Sequence, residues 1–261
     1  MTANQSGSAP FQRPEGVRAE WVSLEASGAH PLRCWWARPA EGQPRAAVLV
    51  LPEVFGVNGW VRSVAERLAA AGYAALAMPI FARTAPDFET GYDEAGLALG
   101  REHRDAVSAQ GLLADATHAI AWLRAQPELA GKGVGCVGFC FGGHLALLAA
   151  TLPGVLATCA FYGARVSSFR PGGGAPTLEV LPQIGGHLIC CCGDQDPLMP
   201  PEELAAMDAA IAAVQAAGLD RRLVITKGAG HGFMCEARGD FHPEAAQKGW
   251  AEMLALFERV I

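Results

Sequence analysis

Charged side chains are scarce in this chain: 18% of its 261 residues are Asp, Glu, Lys or Arg, and 26 acidic against 20 basic residues leave a net charge of -6. The Lys and Arg are scattered, with no stripe that could neutralise phosphates, which argues against nucleic acid as a partner. No apolar run reaches the roughly 18 to 20 residues needed to span a bilayer. The richest stretch, Leu145 to Val155, is interrupted by Thr151, Pro153 and Gly154, so no membrane span is expected. Residues 1–16 read as a flexible tail, because Met1 to Pro10 has neither the cationic start nor the apolar segment of a secretion signal. The expected location is therefore cytoplasmic, and the sequon at Asn4-Gln5-Ser6 carries no meaning there. Linkers, repeats and low-complexity tracts are also missing. The longest candidate break, Arg170 to Pro176, is too short to separate domains, so residues 17–261 are expected to form one domain.

Apolar residues, by contrast, make up 51% of the chain, ample for a large core. Eight cysteines in a chain of this length, in a reducing compartment, do not suggest a disulfide scaffold. They are expected to be buried thiols, with one available for chemistry.

Val17 to Leu24 and Leu32 to Ala37 predict two short strands joined by a turn at Ala26 to Ala29, with Trp21, Trp35 and Trp36 supplying strand-favouring bulk. Apolar runs then alternate with helical segments. Strands are predicted at Ala46 to Leu51, Tyr73 to Ala77, Val134 to Phe139, Leu156 to Phe161, Leu188 to Cys192 and Arg222 to Ile225. Helices are predicted at Val61 to Ala71, His103 to Gln126, Gly142 to Thr151, Pro201 to Ala217 and Pro243 to Val260. The sum is a three-layer α/β sandwich whose central sheet has about eight strands, mostly parallel behind an antiparallel N-terminal hairpin.

Gly138-Phe139-Cys140-Phe141-Gly142 has the form G-x-nucleophile-x-G between a predicted strand and a predicted helix. In such an elbow the nucleophile occupies a strained turn, and side chains two places before and after it would collide with neighbouring backbone. A helix N-terminus also favours the thiolate. The competing reading makes Cys140 one more buried apolar thiol. Gly133 to Gly138 formally matches a dinucleotide-binding glycine pattern, but its first residues belong to the strand, and no Asp or Glu follows before Glu179 to hold a ribose.

A hydrolase of this kind places its acid and then its histidine downstream of the nucleophile. Asp194 or Asp196, in the turn after Leu188 to Cys192, provides the acid, and His231, in the glycine-rich loop Lys227 to Phe233, provides the base. His144 follows the elbow with its side chain expected along that helix, and His242 heads the last helix as a surface or capping residue. His187 beside Cys190, Cys191 and Cys192 invites a metal reading. Successive strand side chains face opposite ways, however, so the three thiols cannot converge on one ion.

Together these residues make the chain resemble the dienelactone hydrolase family of α/β-hydrolases, over nearly all its length after residue 16. Four segments carry the likeness: Pro52 to Asn58 continuing to Arg62, Gly72 to Ala75 leading to Phe81-Ala-Arg83, the elbow, and the Asp196 and His231 segments. The resemblance implies an α/β-hydrolase fold and a catalytic set of Cys140, Asp196 and His231. It makes Glu53 the residue that contacts the nucleophile and helps generate its thiolate when substrate arrives. It also implies an oxyanion hole from the backbone N–H groups of Val54 and Phe141. Family members acting on dienelactone hold its carboxylate with two arginines, one following the Phe81-Ala-Arg83 match and one four residues after the histidine. That second position is Cys235 here; Arg238 is a substitute, with Arg101 or Arg104 as the other anchor. The implied activity is hydrolysis of a carboxylic ester or lactone without metal or organic cofactor, by a monomer or homodimer. The alternatives are a general small-ester carboxylesterase, and a non-catalytic redox or binding protein on the same scaffold.

Overall fold

The chain opens with the expected hairpin, β1 (Val17–Leu24) and β2 (Leu32–Pro39), antiparallel from Val17 opposite Pro39 to Leu24 opposite Leu32. Trp21 and Trp35 face each other across it, edge to face at 5.2 Å between ring centroids. The computed structural model describes residues 11–25 and 30–261. The expected turn at Ala26 to Ala29, the Asn4 sequon and the first ten residues of the expected tail lie outside the described residues.

Beyond the hairpin come β3 (Ala47–Leu51), α1 (Gly59–Ala70), β4 (Ala74–Ala77), α2 (Glu94–Asp105), α3 (Ala109–Ala125), β5 (Val134–Phe139) and α4 (Phe141–Ala149). They are followed by β6 (Val155–Phe161), β7 (His187–Gly193), α5 (Pro201–Ala213), β8 (Arg221–Thr226) and α6 (Pro243–Val260). The strands form one sheet in the order β1-β2-β4-β3-β5-β6-β7-β8, parallel from β4 to β8. Strand β3 reads Ala-Val-Leu-Val-Leu because both of its faces are covered. Leu49 and Leu51 join a core with α3, α4 and α5, while Val48 and Val50 join a second core with α1 and α6. These are the three layers. The carboxyl ends of β3, β5, β6, β7 and β8 all open on one edge of the sheet, which is where ligand sites of open α/β folds lie.

Two expectations on the helices need correction. The single helix expected over His103 to Gln126 is two, α2 and α3, broken at Ala106 to Ser108. Ser108 caps α3 by accepting from Gly111 N at 3.1 Å, and Ala109 N turns away to Pro171 O at 2.8 Å. The apolar positions that suggested one helix, Leu112 to Leu123, all lie in α3. Helix α2 left no such trace, because the residues it buries are Gly96 and Gly100. A Cβ on Gly100 would stand 2.2 Å from Val54 O, so this helix packs by backbone against the turn after β3. Helix α5 ends at Ala213, short of Ala217, where the guanidinium of Arg221 takes the carbonyls of Val214, Ile184 and Gly186.

Candidate active site

Cys140 sits between β5 and α4 with φ +55°, a left-handed conformation that a cysteine adopts only when its surroundings impose it. The flanking glycines show how tight the turn is. A Cβ on Gly138 would lie 2.0 Å from Gly142 O, and one on Gly142 would lie 2.3 Å from Leu51 O and 2.4 Å from Pro52 O. The dinucleotide alternative loses its basis here as well, since Gly133 and Gly135 are small to admit Ile261 and Phe257, whose side chains crowd any Cβ added there, with the nearest Ile261 atoms at 2.9 Å and 2.8 Å.

Gly193 ends β7 against the histidine loop, its would-be Cβ 2.0 Å from Ala229 O, and Gln195 N donates to Ala229 O at 3.0 Å. That contact brings the acid and histidine turns together. Asp196 Oδ2 accepts from His231 Nδ1 at 2.7 Å, and His231 Nε2 is 3.0 Å from Cys140 Sγ. Asp196 Oδ1 accepts from Leu198 N at 2.8 Å, so both carboxylate oxygens are engaged. Asp194, the other acid left open by the sequence, is exposed and braces the loop instead, accepting from Gly228 N at 2.7 Å. Burial works against a charged His231, but Cys140 and the hydrogen bond to Asp196 outweigh it and raise the imidazole above its ordinary range. The ring of Tyr162 meets His231 edge-on at 5.2 Å and fixes its plane.

Val54 and Phe141 supply the two backbone N–H groups expected to face an oxyanion. Val54 lies inside the turn closed by Gly56 N to Glu53 O at 3.2 Å, and Phe141 is the first residue of α4, where N–H groups have no partner within the helix. Both line a cavity of about 320 Å³ together with Cys140 and His231. Arg101, Arg104, Arg165 and Arg238 are on its wall, and among the described residues no Asp or Glu is.

Glu53 lies just beyond the end of β3 and is paired with an arginine. It is fully buried and its hydrogen bond goes to Arg238 Nη1 at 2.9 Å, while the Cys140 sulfur is on His231; the contact with the nucleophile expected of Glu53 belongs to the substrate-bound state. Its second oxygen, Oε2, has no partner. Burial raises the Glu53 carboxyl above the usual range and Arg238 pulls it down, with the net direction upward. Glu53 is thus a stronger proton acceptor than an exposed carboxylate. Arg238 lies on the cavity wall with its charge answered by Glu53, while Cys235, at the position the resemblance pointed to, is buried. Replacing Arg238 with alanine leaves that buried carboxylate without its arginine, and is expected to lower stability by about 3–5 kcal/mol. Chemical denaturation tests this: Glu53→Gln in the same background should recover part of the loss, and no recovery would mean that Glu53 carries no charge.

Other residues are placed differently from the sequence reading, or were not read at all. His144 does not run along its helix; its buried ring bridges two loops, with Nδ1 donating to Ala164 O at 2.8 Å and Nε2 accepting from Thr177 Oγ1 at 2.8 Å. Burial pulls its imidazole down to about 4, so it is neutral, as those two bonds require. Arg165 went unnoticed; its signal was its place just beyond the carboxyl end of a central strand. His242 does cap α6, accepting from Ala245 N at 3.3 Å. Cys190 and Cys192 point into one core and Cys191 into the other, so the three thiols do not converge. Among the described residues no group of three His, Cys, Asp or Glu could hold a metal ion, and no helix is long and apolar enough to cross a membrane.

An eight-stranded, mostly parallel sheet with helices on both faces and a nucleophile-type elbow after its central strand defines an α/β-hydrolase-fold enzyme. Residues 32–261 match the model of the dienelactone hydrolase family, and the chain belongs to that family. A relative from Synechocystis, "Putative carboxymethylenebutenolidase", is 36% identical over 222 residues, covering 85% of this chain and 89% of its own. "Probable 2-oxo-3-(5-oxofuran-2-ylidene)propanoate lactonase" from Bradyrhizobium is 28% identical over 242 residues, covering 92% of this chain and 94% of its own. Among solved structures, a "Putative Dienelactone Hydrolase" from Klebsiella pneumoniae superimposes with a TM-score of 0.81 at 27% identity, covering 93% of this chain and 98% of its own.

Proposed function

We propose that this hydrolase opens an activated lactone or ester carrying a carboxylate, through a thioester on Cys140. The observation that carries the reading is the chain of contacts from Cys140 Sγ to His231 at 3.0 Å and on to Asp196 at 2.7 Å, at the wall of a cavity lined by guanidinium groups. Residues 17–261 act in it as one domain.

A substrate carboxylate entering the cavity competes with Glu53 for Arg238. Glu53, released in a buried site that already raises its basicity, draws the proton from Cys140, and the thiolate pairs with protonated His231. The thiolate attacks the carbonyl carbon, forming the S–C bond, and the oxygen takes the charge between the N–H groups of Val54 and Phe141. Collapse breaks the C–O bond of the lactone, and His231 protonates the departing oxygen. Water then attacks the thioester, giving its proton to His231, the thiolate leaves, and as product departs Glu53 returns its proton to Cys140 and pairs with Arg238 again. Because a thiolate is itself a good leaving group, an unactivated alkyl ester expels sulfur again, whereas an enolate leaves ahead of it. Enol lactones are therefore the favoured class. The name of the Bradyrhizobium relative, a lactonase whose substrate has a carboxylate, agrees with this.

The test is a panel of enol lactones with and without a carboxylate, beside p-nitrophenyl acetate, with intact-mass detection of the acyl-enzyme. Carboxylate-bearing lactones should turn over fastest, with the adduct on Cys140. Equal turnover of all substrates would point to a general esterase, and no turnover under reducing conditions would leave a non-catalytic scaffold.

A further inference from the structure

Arg165 stands where the chain leaves β6, and its backbone is in the left-handed region at φ +62°. That conformation disfavours a residue with a Cβ, a penalty glycine would not incur. Its neighbours hold it there. His144 Nδ1 donates to Ala164 O at 2.8 Å, Ser167 N donates to Glu203 Oε1 at 3.1 Å, and Phe169 N donates to Arg165 O at 2.9 Å. None of these bonds uses the guanidinium, so the fold does not need an arginine at this position.

The side chain is exposed, and its guanidinium carbon lies 5.0 Å from the ring centroid of Phe169, on the wall of the cavity that contains Cys140. Of the four arginines on that wall, Arg104 pairs with Asp105 at 2.7 Å and Arg238 with Glu53 at 2.9 Å. Arg101 and Arg165 have no carboxylate partner among the described residues. Arg165 belongs to neither of the two segments from which the resemblance draws its carboxylate-holding arginines. A guanidinium laid on an aromatic face keeps its planar fork free for a planar anion.

We infer that Arg165 is an anion-binding specificity residue, separate from the Glu53–Arg238 pair, and that the preferred substrate is a lactone or ester of an acid bearing two anionic groups. One group engages Arg238 and the other Arg165. This rests on the ester- and lactone-hydrolase reading of the same site. Two positive charges without a carboxylate partner, Arg101 and Arg165, on the wall of a cavity that no acidic residue lines among the described ones favour a dianion over a monoanion.

Matched activated esters of a monoanionic and a dianionic acid test it in wild type, Arg165→Gly and Arg165→Lys. Glycine suits the left-handed backbone, so Arg165→Gly should melt no lower than wild type. Wild type should favour the dianion at least tenfold in kcat/KM, mainly through KM, with the preference shrinking as salt is raised. Arg165→Gly should bring the ratio near one, and Arg165→Lys should restore part of it. An unchanged ratio in Arg165→Gly, equal loss on both esters, or a markedly lower melting temperature would overturn the proposal. If wild type cleaves neither ester nor any lactone of the panel, it is the hydrolase reading that fails.

Discussion

Cys140→Ala is expected to lower kcat/KM for an activated lactone by at least about 10³-fold while leaving the fold intact, since the residual rate would come only from binding and the oxyanion contacts. The sulfur is the one soft nucleophile open to the cavity, as the other seven cysteines are buried. His231→Ala should cause a loss of similar size, and the double variant should be little worse than either single one, because residues acting in sequence on one proton are not additive. A second readout separates chemistry from folding. His231 is raised above the ordinary imidazole range, so it is protonated at pH 6 and any thiolate that forms on Cys140 is paired with it. Alkylation of Cys140 by iodoacetamide at pH 6 should therefore slow by at least about tenfold in His231→Ala. Full activity in Cys140→Ala, or unchanged alkylation in His231→Ala, would remove the cysteine mechanism.

Gly142→Ala is expected to cause a large loss of stability, about 4 kcal/mol or more, lowering Tm by roughly 10 °C for a chain of this size. The added Cβ would stand 2.3 Å from Leu51 O and 2.4 Å from Pro52 O. Those are backbone atoms at the end of β3, in the middle of the sheet, and they have no room to retreat. Gly185→Ala is the control: nothing lies within 4 Å of its would-be Cβ, and the change should stay within about 0.5 kcal/mol. Thermal melts of the two variants decide the matter. A mild effect at Gly142 would show that the elbow relaxes more easily than its spacing allows.

The elbow was legible in the sequence for the reason this second prediction tests: its glycines answer steric demands made by the turn itself and the strand beside it. The strands were legible because a strand covered on both faces reads as an apolar run, as β3, β5 and β7 do. His231 stood out because its loop follows a strand and is rich in glycine. The split of α2 from α3 was hidden, since a helix that packs through Gly96 and Gly100 leaves no apolar period.

Composition and spacing alone thus determined the fold class and singled out Cys140, Asp194 or Asp196, and His231 in that order along the chain, because each depends on local geometry or on strand ends. Only the tertiary structure decided which acid meets His231, that Glu53 answers Arg238, that His144 joins two loops, and that Arg165 reaches the cavity. Glu53 and Arg238 are 185 residues apart, and the charge of each is tolerable in the interior only because the fold closes that distance to 2.9 Å. A buried charge takes its partner from space, and neighbouring sequence carries no mark of which one it will be.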